Sequence, residues 1–212
     1  MRLGLRLPGR RATRVGVVDT YAFSSSVRQR LRMKHPELTP DRLALVEAAA
    51  RQWFRIVACR PRTELSMPST LVDDLWHEFM LHTREYAEFC DAAFGRFLHH
   101  QPETAMSPGQ AVANRSDRLV LTLRLAQQDE GSEPAALPLL FRVDREAGLK
   151  DGRRYLADCG GRGLCHSMPN TVCLQHLNGL GKAPPRKGIS HGGPTYVGGT
   201  DGGGCGGGCG ST

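Results

Sequence analysis

At 212 residues the chain is long enough for one domain with an appendage. Its net charge is +7, and the basic excess sits at the ends: residues 1–34 hold nine Arg or Lys against one Asp, residues 35–158 hold 15 against 19 acids, and residues 159–212 hold four against one. No run of 18 apolar residues occurs, so no segment reads as a membrane-spanning helix, and the Arg-rich start lacks the apolar stretch of a secretory signal; a cytoplasmic location is expected.

Residues 1–18, with five Arg and no acid, read as a flexible basic arm. Ser24 to Lys34 reads as a short basic helix that buries Val27 and Leu31 and stops at His35-Pro36, because the residue before proline is pushed out of helical geometry. A new start follows at Thr39-Pro40-Asp41: a hydroxyl cap, a proline with no amide hydrogen to lose, and an acid at the positive helix end. Leu43, Val46, Ala50, Trp53, Phe54 and Val57 then recur at three- and four-residue steps, which predicts an amphipathic helix to about Cys59. Arg60 to Pro68 reads as a loop. Ser69 or Thr70 opens what reads as the longest helix, with Val72, Leu75 or Trp76, Phe79, Thr83, Tyr86 and Phe89 or Cys90 on its buried side and a break near Gly95.

A further helix is expected from about Pro108 to Gln127, although its Leu119–Leu123 stretch, LVLTL, has strand-like composition. Leu139 to Glu146 reads as one more short helix. The expected fold is thus mainly all-α: a single compact domain of about five helices over residues 20–158. Residues 159–212 contain 17 of the 25 glycines and read as a Gly/Cys-rich low-complexity tail with too little apolar surface to offset the entropy of ordering.

Three places could carry chemistry. Asp73 and His77 are four apart on one helix face, the spacing at which a carboxylate orients an imidazole, and His99 and His100 could return to them only through a turn near Gly95. His82 points elsewhere, and no HExxH occurs because Leu81 stands at the second His position. The alternative is a structural pair beside a core-lining Trp76. The second place is Cys159, Cys165, His166, Cys173 and His176, whose thiols and imidazoles suit zinc although the spacings match no tight knuckle; Cys173-x-x-His176 is the familiar pair. The third is Cys205 and Cys209 in polyglycine, two thiols able to capture a soft metal. No phosphate-binding glycine loop and no nucleophile elbow occurs.

The run from Pro68-Ser69 through Val72-Asp73-Asp74-Leu75-Trp76-His77-Glu78-Phe79, with Tyr86, Phe89-Cys90 and Phe94 to His100, resembles bacterial glycine-rich domain-containing proteins. A shorter core of Asp73, Trp76-His77, Leu81, Tyr86 and Cys90 is similar to the helical region of plant glycine-rich domain proteins. The plant pattern often has a second His two residues after the first, where this chain has Phe79. The resemblance implies a helical fold and no reaction. The leading functional expectation is a non-enzymatic binding or scaffold domain with an unidentified protein partner. The alternatives are a metal-binding protein or metal-dependent enzyme built on Asp73, His77, His99 or His100, with zinc or another borderline metal as cofactor, and an RNA-associated protein that uses the basic arm.

Overall fold

The structure is a computed structural model that describes residues 10–100, 108–159, 165, 168 and 171–177. Among these, eight helices and one short parallel strand pair are present: α1 (Arg10–Thr20), α2 (Ser25–Lys34), α3 (Pro40–Cys59), α4 (Thr70–Leu81), α5 (Thr83–Phe94), α6 (Pro108–Glu130), α7 (Leu139–Glu146), β1 (Arg154–Leu156), β2 (Thr171–Cys173) and α8 (Leu174–Leu177). The fold is mainly helical, as expected, with eight helices among the described residues rather than the five or so read from the sequence.

Helix α3 is the hub and packs against α1, α4, α6 and α7. Its ends are set locally: the Thr39 hydroxyl accepts from the Arg42 N–H at 3.4 Å, Pro40 opens the first turn, and Arg60 leaves helical geometry. Trp53 and Phe54 are buried on one side and meet Trp76 of α4 at ring-centroid distances of 5.9 Å each. Gln52, 2 % exposed, joins three helices: its amide donates to Glu130 Oε2 at 3.1 Å and its carbonyl accepts from Leu140 N–H at 2.8 Å. A buried amide satisfied on both ends fixes the register of α6 and α7 on α3.

Three expectations are corrected. Arg10–Thr20, within the segment read as a flexible arm, is helical; Val18 is fully buried and Asp19 pairs with Arg55 of α3 at 3.0 Å. The arginines hid this helix, because their long stems can lie along a core while the charged heads reach water. Residues 1–9 lie outside the described residues. The longest expected helix is two, α4 and α5, joined at His82. There the ring Nδ1–H donates to the Glu78 carbonyl at 3.0 Å and Nε2 accepts from the Ser26 hydroxyl at 3.0 Å, so a side chain takes over a carbonyl and locks the bend onto α2. Thr83, placed in the buried stripe, is exposed past that bend. The domain also runs past residue 158: Leu174, inside the segment read as low-complexity tail, is fully buried in the main core.

LVLTL is helical. Leu119, Val120 and Leu123 are buried with Ala126 at helical spacing, and the Thr122 hydroxyl donates to the Arg118 carbonyl at 2.8 Å while accepting from Ser66 N–H. Tertiary burial overrides strand propensity here.

Gly95 ends α5 in the left-handed region, φ 67°, and its N–H returns to Cys90 and Asp91 carbonyls. A Cβ there would also lie 2.5 Å from the Arg14 guanidinium, which can swing aside. Gly95→Ala is expected to cost about 1 kcal/mol, mostly from the backbone, as read by urea denaturation.

Candidate metal centres

Among the described residues, two groups of ligand-bearing side chains come together, each with all its ligand atoms within 4.8 Å of one another: Cys159, Cys165, Cys173 and His176, and separately Asp73, His77 and His100.

The first is built by the parallel strand pair. Tyr155 of β1 is anchored in the core, its hydroxyl donating to the Pro68 carbonyl at 2.9 Å. The register pairs Leu156 with Cys173, so the end of β2 lies beside the chain that leaves β1 for Cys159. Parallel strands need a crossover. Here it spans 157–170, and Cys165 sits inside it. Helix α8 starts directly after Cys173 and brings His176 round on its first turn. The three thiols are buried and form their own small cluster, with Leu156 packed against it. Cys165 Sγ is 3.2 Å from His176 Nδ1, and Cys159 Sγ is 3.7 Å from Nε2.

A tetrahedral zinc with Zn–S bonds of about 2.3 Å holds its ligand atoms about 3.5–3.8 Å apart, so small movements would seat the ion. Without a cation, burial, followed by hydrogen bonds with Cys159 and Cys173, pushes the Cys165 thiol up to about 11. Clustered thiols resist joint ionisation, and a divalent ion removes that resistance. Gln175 Oε1 accepts from Cys159 Sγ at 3.1 Å and from its N–H at 3.4 Å. With a bound thiolate the same amide, flipped, would offer its NH2 to sulfur, an outer contact that orients a ligand.

The second group lies at the end of α5 and the face of α4. Ser69 caps α4, accepting from Val72 N–H at 3.1 Å, and this puts Asp73 and His77 one turn apart on one face. The expected pairing between those two is loose: Asp73 Oδ2 to His77 Nδ1 is 3.7 Å, too long for a hydrogen bond, and the His77 side chain is 43 % exposed. Asp73 instead bonds His100 Nε2 at 2.8 Å. His100 arrives because Gly95 turns the chain back and a buried relay holds the segment beyond that turn. Trp76 Nε1–H donates to the Tyr86 hydroxyl at 3.0 Å, which donates to the Leu98 carbonyl at 2.5 Å. The same burial pushes the Tyr86 hydroxyl well above its ordinary pKa, so it stays a donor. The Trp76 ring then meets His100 edge-on at 4.7 Å, and His77 and His100 rings lie 4.3 Å apart.

His99 is not part of either group; its ring is exposed and packs on Phe97 at 5.0 Å. His166, Cys205 and Cys209 lie outside the described residues. A shallow surface hollow, which no sequence motif announces, lies between α7 and β1, with Arg142, Arg145, Arg153 and Arg154 on its wall beside Phe141 and Tyr155. Its only signal in the chain is a local density of arginine.

Fold and sites together define a mainly helical protein with a Cys3His cluster closing its C-terminal side and an Asp-His-His group on its α4 face. A family model described as UCP032817-like matches residues 13–177, and the chain belongs to that family. The match spans both groups and stops where α8 stops. No curated protein and no solved structure matches the chain. No helix of the described residues is long and apolar enough to cross a membrane.

Proposed function

We propose that this is a zinc-binding protein in which Cys159, Cys165, Cys173 and His176 hold a structural ion, and that the helical body works as a non-enzymatic binding or scaffold domain for a protein partner. The observation that carries this reading is the convergence of four ligand atoms, from three separate stretches of the chain, to within 4.8 Å of one another. Four protein ligands leave a tetrahedral zinc no open position, which is the pattern of structural rather than catalytic sites. The fold also needs such a staple. Two parallel strands of three residues each are far from stable alone, and the crossover between them is short of apolar side chains. Metal binding there is coupled to folding. Thiolates kept for a metal suit a reducing compartment, so a cytoplasmic location is part of the reading. So is kinship with bacterial glycine-rich domain-containing proteins, which assigns no reaction.

Elemental analysis of the untagged full chain, purified without chelator, tests it. After desalting, wild type should carry one tightly held zinc, and Cys165→Ser and Cys173→Ser should lose it, whereas His77→Gln should keep it. With free zinc at about a thousand times Kd, the ion should add about 4 kcal/mol to stability. A wild-type chain that neither carries nor takes up zinc overturns the proposal, as do cysteine variants that retain it in full.

A further inference from the structure

We propose that Asp73, His77 and His100 form a second metal site of a different kind: an open, solvent-facing two-histidine, one-carboxylate site. It would take a divalent first-row transition metal and leave coordination positions for water or a small anionic oxygen donor. The contrast between neighbouring carboxylates points to it. Asp73 and Asp74 are adjacent on α4 and face different surroundings. Asp74 is already neutralised, with the Lys34 ammonium at 2.5 Å and His35 Nε2 at 2.7 Å. Asp73 faces only imidazoles among the described residues, at 2.8 Å from His100 and 3.7 Å from His77. A carboxylate flanked by two imidazoles and no permanent cation has room for one.

The three groups also differ in how firmly they are held, as an open site requires. The His100 side chain is 12 % exposed, wedged against Trp76 and positioned through the Trp76–Tyr86–Leu98 relay, while Asp73 sits in the first turn of a capped helix. Ligands carried on rigid elements keep their geometry without the ion. His77 is the exposed member, so the ligands occupy one side and solvent the other. Two imidazoles and one carboxylate select zinc, iron(II), cobalt or nickel over magnesium and calcium, which prefer all-oxygen shells. Three protein ligands are also the number that leaves a metal available to an exogenous group.

This site does not depend on the Cys3His centre, and cobalt separates the two. The full chain is given one equivalent of zinc, which the thiolate-rich Cys3His centre takes first, and is freed of loosely held metal by desalting. It is then titrated with cobalt(II) while visible ligand-field absorption and thiolate-to-cobalt charge transfer are followed. Wild type should show saturable ligand-field bands without charge transfer, and these should shift when acetate is added. His77→Ala, His100→Gln and Asp73→Asn should each weaken cobalt binding by at least about 100-fold, the upper end for losing even an outer partner of a ligand. His99→Ala should bind like wild type. His77→Ala alters an exposed residue, so its result stands even where His100→Gln unfolds by circular dichroism. Cobalt bands absent from wild type, or undiminished in His77→Ala and Asp73→Asn, overturn the proposal. Charge transfer in zinc-loaded protein would report exchange at the Cys3His centre and is scored separately.

Discussion

Trp76→Ala is expected to lower stability by about 3–5 kcal/mol, the range for removing a large aromatic from a core. Trp76 is 5 % exposed and touches Trp53 and Phe54 of α3 on one side and His100 on the other. The cavity would lie where three elements meet, and the rigid ring packing around it offers little to collapse into the space. The indole also supplies the donor to Tyr86, so truncation removes a buried hydrogen bond as well as volume. Trp76→Phe separates the two effects: it keeps most of the packing and should cost about 1–2 kcal/mol for the lost N–H and ring area. Urea denaturation checks both values. Near-equal stability of Trp76→Ala and wild type would mean that α3 and α4 are not packed through this ring. His100 should respond too, because its ring loses the wall that holds it toward Asp73. Its imidazole resonance should therefore move in Trp76→Ala and much less in Trp53→Ala.

Asp144→Ala should be as damaging, at about 3–5 kcal/mol, through charge rather than volume. Asp144 is 1 % exposed and belongs to α7, yet its carboxylate serves α4. It accepts from the Ser69 hydroxyl at 2.6 Å, from Thr70 N–H at 2.8 Å, from Leu71 N–H at 3.1 Å and from Arg153 N–H at 3.2 Å. A carboxylate at a helix start meets the positive end of the helix dipole and satisfies amides that have no partner within the helix. Its loss leaves several buried donors unpaired at once, and hydrogen bonds to a charged group are among the stronger ones. Asp144→Asn keeps one acceptor and the shape, so it should cost less than Asp144→Ala. Ser69→Ala, which removes the hydroxyl cap and one of the four donors to Asp144, should cost about 1–2 kcal/mol. An Asp144→Ala melting curve that overlays wild type would sink this account of how α4 begins. Because Arg153 immediately precedes β1, the same substitution should raise amide exchange in β1 and lower zinc retention at the Cys3His centre.

Some of this was legible in the residues. Thr39-Pro40-Asp41 and the three- and four-residue steps from Leu43 to Val57 gave α3 its observed limits, Pro40–Cys59, and Leu139 to Glu146 is α7 as expected. Trp53 stands in the apolar stripe read for α3 and Trp76 is one of the two residues read for the buried side of the next helix; the two rings meet at 5.9 Å. These features are local: a cap, a proline and an apolar stripe act within one or two turns and read the same in any tertiary setting.

What the sequence alone left open depends on groups far apart in the chain. The bend at His82 needs Ser26 of α2 to hold the ring, and the α4 cap needs a carboxylate 75 residues away. Asp73 prefers His100, 27 residues on, to the His77 one turn along its own helix, because Trp76 and the Tyr86 relay bring that imidazole to 2.8 Å. The cysteine spacings of six and eight positions match no short knuckle, and only the parallel pairing of β1 with β2 brings Cys159, Cys165, Cys173 and His176 to one point. Caps and periodicity set where helices start and stop. Which imidazole meets which carboxylate, and which thiols share a metal, is decided by packing, since those distances are fixed only once separate elements have buried their apolar faces against one another.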